Sequence, residues 1–246
     1  MPQDRIWLCG DVHGDLRALH RALAQAVEPP LAVILLGDLD PPQPVGEWLA
    51  GIGASGAETW CIHGNHETDN ADFHDRTFLA EGSDRNLDGQ VVEIAGLRVA
   101  GLGGVFREAV WYPPAPPVFE SYAAYVSESV PRWGHADGRK AVIKNRVRKH
   151  RSSIFSDVYN QLADQEADVL IVHEAPSCHP RGFEEIDLLA KGMGVRLVVH
   201  GHHHQSWRFP YCERLGFHAV GLGLRGVLRR RDISRDLEQL TWPIKR

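Results

Sequence analysis

Ile6-Trp7-Leu8-Cys9-Gly10-Asp11-Val12-His13-Gly14 decides how this chain is read: an apolar run, then a carboxylate and an imidazole two residues apart. Four apolar residues in a row, closed by glycine, suit a strand buried on both faces. The polar pair then falls at the strand's carboxyl end, where ligands collect in α/β sheets. Working outward, the arrangement returns four times. Residues 32–36 lead to Gly37-Asp38-Leu39-Asp40, and residues 59–62 lead to Gly64-Asn65-His66-Glu67. Residues 169–172 deliver His173-Glu174, and residues 197–199 deliver Gly201-His202-His203-His204.

The sequence between these clusters sets the fold class. Leu16, Leu19, Leu23 and Val27 recur at helical spacing, which predicts a helix from about Asp15 to Val27 with Asp15 near its amino end. Strand, helix, strand favours parallel pairing. Residues 91–94 and 97–100 flank Ala95-Gly96 and read as a hairpin. Further helices are expected over 156–163 and about 183–193, and closing strands over 217–224 and 227–228. The expected class is α/β, as a single domain over residues 1–246.

From about Phe106 to Ser152 the pattern lapses. Pro113-Pro114-Ala115-Pro116-Pro117 excludes a helix or central strand there. Trp111, Tyr112, Tyr122, Tyr125 and Trp133 surround it, and a basic run follows with Arg139, Lys140, Lys144, Arg146, Arg148, Lys149 and Arg151. A stretch this long is usually functional or disordered, and the aromatic content argues for partial order. Residues 106–152 therefore read as a cap or lid-like insertion. Its basic run is either a solvated face or a contact for phosphate or nucleic acid, with Arg146, Arg148, Lys149 and Arg151 as the candidate substrate-binding residues. Arg225, Arg229, Arg230 and Arg231 pose the same choice near the end of the chain.

Composition excludes some classes. The 27 basic and 32 acidic residues leave a net charge of −5, which argues against a protein that coats nucleic acid or an anionic membrane. No apolar stretch approaches the roughly 18–20 residues that span a bilayer, and no secretory leader is read. Cys9, Cys61, Cys178 and Cys212 stand far apart without a Cys-x-x-Cys pair, so a reducing cytoplasm is expected. Cys9 and Cys61 lie inside apolar runs and read as small core residues.

The five clusters offer carboxylate, imidazole and amide oxygen, and no thiolate. That set suits two divalent ions, with Mn, Fe, Zn, Co and Ni about equally served. Asp11 and His13, like His202 and His204, share a spacing that in extended chain turns both side chains the same way, while His203 faces away. Asp38 has two oxygens and can bridge cations about 3.5–4 Å apart. Asn65 adds an amide oxygen, and His173 stands at its own strand end. His63 and His200 read as structural histidines, and Glu67 as support for its loop. Taken alone, each cluster is more often a turn or a satisfied histidine; five in one order, each at a strand end, carry the reading.

These motifs, D-x-H, G-D, G-N-H-[DE], a lone H and G-H-x-H, resemble the calcineurin-like metallophosphoesterase superfamily. The resemblance spans Asp11 to His204 and implies a four-layer α/β/β/α sandwich of two mixed sheets. It also implies one metal on Asp11, His13, Asp38 and His204, and a second on Asp38, Asn65, His173 and His202. His66 matches the family's non-ligand histidine, which contacts phosphate and protonates the leaving group. The opening resembles the protein-phosphatase and symmetric dinucleoside-tetraphosphatase branch, whose second motif continues as G-D-x-x-D-R-G; here Gly37-Asp38-Leu39-Asp40-Pro41-Pro42 departs from it. Gly-Asn-His-Glu, the Gly-Gly-Val-Phe stretch after the hairpin and the aromatic, basic segment are similar to RNA lariat-debranching enzymes.

The expected activity is hydrolysis of a phosphoester by a metal-bridging hydroxide, with Asn65 steadying the phosphoryl oxygens and His66 as general acid. Asp40 or Asp69 orients His66. A phosphodiester or nucleic-acid substrate is slightly favoured over a phosphomonoester or a dinucleoside polyphosphate. The rival from outside the enzymes is a metal-binding scaffold without catalysis.

Overall fold

The structure is a computed structural model that describes residues 2–53, 56–132, 140–211 and 213–229. The expectations that fall on Trp133, Arg139, the side chain of Lys140, Cys212, Arg230 and Arg231 lie outside the described residues. Among those residues ten strands form two sheets. They are β1 (Ile6–Cys9), β2 (Ala32–Leu36), β3 (Glu58–Ile62), β4 (Val91–Ile94), β5 (Leu97–Leu102), β6 (Val169–Val172), β7 (Leu197–His200), β8 (Trp207–Phe209), β9 (His218–Gly221) and β10 (Val227–Arg229). One sheet runs β10-β1-β2-β3 and the other β4-β5-β6-β7-β9-β8. β1, β2 and β3 pair in parallel, as do β5, β6, β7 and β9, while β10, β4 and β8 pair antiparallel to their neighbours. Both sheets are therefore mixed.

Period-two alternation within each buried strand splits its side chains between two cores. Ile6 and Leu8 of β1, with Ile34 and Leu36 of β2, pack against Val99, Ile171 and Val199 of the second sheet. Their neighbours Trp7, Cys9, Val33 and Leu35 face the other way, onto Leu16, Leu19, Trp48 and Leu49. The last two lie on helix α2 (Val45–Gly53), and Leu19 lies on α1 (Arg17–Ala24). On the outer face of the second sheet, Leu170, Val172 and Val198 meet Leu162, Ile186 and Leu189. Helix, sheet, sheet, helix is the four-layer α/β/β/α order.

Three local expectations are corrected. The first helix ends at Ala24, not Val27, and Val27 is 96% exposed. Pro29 and Pro30 follow closely and cannot continue a helix. Helix α2 was not expected because prolines precede it and glycines dilute it, although Val45, Trp48, Leu49 and Ile52 keep helical spacing. The segment 106–152 is more regular than its sequence implies. After α3 (Ala71–His74), it holds α4 (Tyr122–Arg132) and α5 (Lys140–Lys149), with α6 (Ser156–Ala163) and α7 (Glu184–Gly192) beyond it. Tyr125 of α4 is buried against Phe119, His150 and Phe155, so tertiary packing rather than periodicity holds this helix. No helix among the described residues is long and apolar enough to cross a membrane.

Two measurements check this packing. Ile34→Ala, inside the inter-sheet core, should cost about 2–5 kcal/mol in denaturant unfolding, whereas Val27→Ala should stay within about 0.5 kcal/mol. His150, buried and bonded to Ser153 Oγ at 3.0 Å, is lowered to about 4 by burial and then by Arg107, Lys149 and Arg146. Its charged form is disfavoured on folding, so its contribution holds above 6.5 and is lost as pH falls towards about 4. His150→Asn should flatten the stability-against-pH curve in that window.

Candidate metal centre

The carboxyl ends of β1, β2, β3, β6 and β7 converge, and each delivers one cluster. The backbone there is unusual. Asp11, His13, Asp38, Asp40, His202 and His204 have φ of 32°, 43°, 49°, 44°, 69° and 55°. A left-handed turn costs a non-glycine residue roughly 1–2 kcal/mol, and Asp, Asn and His tolerate it best. This corrects the expectation that extended chain aligns Asp11 with His13 and His202 with His204. Tight left-handed turns do it instead, stitched by His13 N–H to Asp38 O at 2.9 Å and Gly14 N–H to Leu39 O at 2.8 Å.

Asp38 lies at the middle. Its Oδ1 accepts the Asn65 and His66 N–H groups at 2.9 and 3.0 Å and stands 3.3 Å from His173 Nε2. Its Oδ2 faces His13 Nε2 at 3.9 Å. Three groups have ligand atoms within 4.8 Å of one another: two share Asp38, namely His13, Asp38 and His204, and Asp38, His173 and His202, and the third is His13, Asp40 and His66. Asp11 adjoins them, its Oδ1 accepting the His202 N–H at 3.0 Å. A Cβ at Gly64 would run into Asp38 Oδ1 and the His173 ring, and one at Gly201 into Asp11 Oδ1. The motif glycines are there for room.

Unpaired atoms test whether cations fit. Asp11 Oδ2, Asn65 Oδ1, His173 Nε2 and His202 Nδ1 are buried without a hydrogen-bond partner. Each such atom costs roughly 1–3 kcal/mol, so four side by side need a common partner. Divalent cations supply one, and the oxygen and imidazole donors suit them. Electrostatics agrees. Burial raises Asp11 and works against Asp38, but His173 and the His66 N–H outweigh it and hold the Asp38 carboxyl below the usual range. Burial likewise opposes charge on His173, yet Asp38 and Asp11 push it well up. A bound cation would take the place of that proton.

Other side chains fix the cage. His13 Nδ1 bonds Asp40 Oδ2 at 2.9 Å and His173 Nδ1 donates to Leu36 O at 2.8 Å, turning both Nε2 atoms inward. Glu67 is fully buried and accepts from Leu39 N–H at 2.5 Å and Gly64 N–H at 2.8 Å, tying the Asp38 loop to the Asn65 loop. Burial and then the charge of Asp38 push Glu67 up to about 8. Of the two carboxylates expected to orient His66, Asp69 does so, its Oδ2 lying 2.8 Å from His66 Nδ1. His203 turns onto His179, stacked at 4.0 Å. His63 is buried against Asn86 and Phe78, and His200 bonds Gly201 O.

The cage opens into a cleft of about 690 Å³. Of the four candidate substrate-binding residues, Lys149 lines it. Arg148 donates to Thr68 O and Asp69 O, Arg151 lies over the rings of Phe78 and Tyr122, and Arg146 borders a separate pocket. Sequence reasoning missed Arg107, Arg181 and Phe183, which also line the cleft, as does Tyr112, one of the aromatic residues noted around the proline run. The nearest signal was the position of Arg107, directly after the Gly-Gly-Val-Phe stretch that ends the β5 run. Arg225, seen as either solvated or a partner contact, has its Nε 3.5 Å from Asp15 Oδ2 and its N–H on Asp11 O.

A family model described as calcineurin-like phosphoesterase matches residues 4–206. The chain belongs to that family. An uncharacterized protein of Haemophilus influenzae is 37% identical over 223 residues, covering 90% of this chain and 92% of its own length. The protein TT1561 of Thermus thermophilus shares the fold, with a TM-score of 0.55 and 16% identity over 92% of this chain and 94% of that one. A weaker likeness, with a TM-score of 0.47 and 14% identity, is to the phosphopantetheinyl hydrolase of Mycobacterium tuberculosis, covering 97% and 93%. Membership in the calcineurin-like phosphoesterases makes metal-dependent phosphoester hydrolysis the general chemistry of the site.

The Asp40–His13 bond gives a direct check. Asp40→Asn keeps the turn but weakens the hold on His13, and should lower Mn²⁺ affinity about 10–100-fold in a calorimetric titration.

Proposed function

We propose that this calcineurin-like phosphoesterase hydrolyses phosphodiesters. One metal would be held by Asp11, His13, Asp38 and His204, and the other by Asp38, Asn65, His173 and His202, whatever the choice among Mn, Fe, Zn, Co and Ni. When bound, the pair supplies a water activated near neutral pH and offsets charge on the phosphoryl oxygens. The protein does the rest. Asn65 lines the cleft, where its amide would steady the non-bridging oxygens. His66 stands edge-on to His13 at 4.8 Å between ring centroids and is partly exposed, beside Asp69 and Asn65 of the cleft lining. Its Nδ1 is engaged by Asp69, so Nε2 is the atom that gives its proton to the departing oxygen.

The observation that carries acid-assisted cleavage is the Asp69–His66 pair beside the triads, and the room for groups on both sides of the phosphate in a cleft of about 690 Å³ favours a diester. An alkoxide leaving group needs a proton, and an oriented imidazole provides it. His66→Ala should lower kcat by about 10²–10⁴ on a dinucleotide, whose leaving group is an alkoxide, and far less on a p-nitrophenyl diester. Asp69→Asn should lose activity in the same leaving-group order. Equal losses on both substrates would remove His66 as the acid. Turnover confined to phosphomonoesters would replace diester with monoester, and no turnover with metals bound would point to a scaffold.

A further inference from the structure

The cleft has a second wall beyond the metal cage. Arg107 stands on it, its Nη1 donating to Lys149 O at 3.2 Å, Ser152 Oγ at 3.2 Å and Ser153 Oγ at 3.0 Å. Three acceptors on one nitrogen fix the guanidinium, and the residue lines the cleft close enough to feel the charges of Glu174, Asp69 and Asp38. Lys149 and Arg181 are exposed on the same cleft. Lys149 adjoins Arg107 through its carbonyl, whereas the charge of Arg181 bears on His203 and His179. Tyr112 is 47% exposed there, its ring held edge-on to Phe183 at 5.5 Å and 85°.

Size and charge together narrow the ligand. A cleft of about 690 Å³ falls in the range that accommodates a drug-sized ligand and exceeds what a bare phosphodiester fills. One scissile diester carries one negative charge, which the metals and Arg107 already meet. Asp69 and Glu174 line the cleft as well, but Asp69 pairs with His66 and Glu174 is buried and accepts the Phe106 N–H. Lys149 adjoins Arg107, which leaves the exposed Arg181 for a second anion, and an anchored, half-exposed aromatic ring suits a planar base.

We propose that the cleft takes a nucleotide diester bearing a second phosphate. The scissile phosphate lies between the cage and Arg107 with adjoining Lys149, the second phosphate meets Arg181, and a base stacks on Tyr112. The bond cleaved rests on the phosphodiesterase reading above; the nucleotide site does not.

Methyl p-nitrophenyl phosphate, the dinucleotide TpT and 5′-phosphorylated TpT add first bases and then a phosphate. In Arg181→Gln the preference for phosphorylated over plain TpT, as a ratio of kcat/KM, should fall about tenfold. In Tyr112→Ala the preference for TpT over the methyl ester should fall about tenfold, and Tyr112→Phe should restore it. Ratios equal to those of the wild type in both variants would overturn the site. Thymidine 3′,5′-bisphosphate carries a base and two phosphates but no diester. By calorimetry it should bind the Mn²⁺-loaded protein and lose about tenfold in affinity in Arg181→Gln and in Tyr112→Ala. If those differences hold while no diester turns over, the phosphodiesterase reading falls and the nucleotide site stands. If the bisphosphate does not bind, the nucleotide site falls. A 5′-phosphorylated dodecathymidylate separates the two sources of this chemistry. A kcat/KM matching the dinucleotide's marks a strand end as substrate, and a loss of about tenfold or more marks a free nucleotide.

Discussion

A single buried carboxylate constrains this structure. Asp38 sits at the end of β2, with one oxygen towards His173 and the other towards His13. Neither histidine is near it in sequence, and they arrive from opposite sheets, His13 after β1 and His173 after β6. The inter-sheet core of Ile6, Leu8, Ile34, Leu36, Ile171 and Val199 therefore does more than stabilise. It sets the distance between two groups of ligands that Asp38 must reach at once. If the sheets slid by one residue, the strand ends would move by about 3.3 Å, and the carboxylate would lose one partner or the other.

The supporting bonds follow from that demand. Charge on Asp38 is costly when buried, and the nearby N–H groups of Asn65 and His66 repay part of it. Those amides are in place because Glu67 joins the Gly64 and Leu39 backbones. Farther out, Thr68 Oγ1 meets Ser152 Oγ at 2.7 Å, and Arg148 donates to Thr68 O, so the 106–152 segment is fastened to the loop that bears His66. The cage, the loop that bears His66 and the cleft wall form one hydrogen-bonded unit.

Much of this was legible in the chain. β1, β2, β6 and the helix at 156–163 stand where the apolar runs and their periodicity place them, because those residues are buried on both faces or along one stripe. The residues that converge could be named too, because five polar clusters recur in one order at strand ends, although each alone is more often a turn or a satisfied histidine. What was not legible is what tertiary contact alone decides. Nothing local says that Asp69 serves His66 while Asp40 serves His13, because both carboxylates lie within a few residues of a motif. Nor does local sequence separate Lys149, on the cleft, from Arg148 and Arg151, spent on backbone carbonyls and aromatic rings. Helix α4 escaped notice because its support, around Tyr125, comes from Phe119, His150 and Phe155.

The left-handed turns at Asp11, His13, Asp38, Asp40, His202 and His204 carry a consequence for how the centre is dissected. At such positions a side chain does two jobs: it presents a donor atom, and it tolerates a backbone that β-branched and most other residues resist. Alanine scanning would conflate the two, since each truncation removes a donor and strains the turn together. Asparagine is the informative replacement for the aspartates, as it keeps the short polar side chain that left-handed backbone accepts while discarding the charge. For the histidines the same reasoning also selects asparagine over alanine or valine. The geometry of the main chain thus dictates which substitutions report on chemistry and which report on folding.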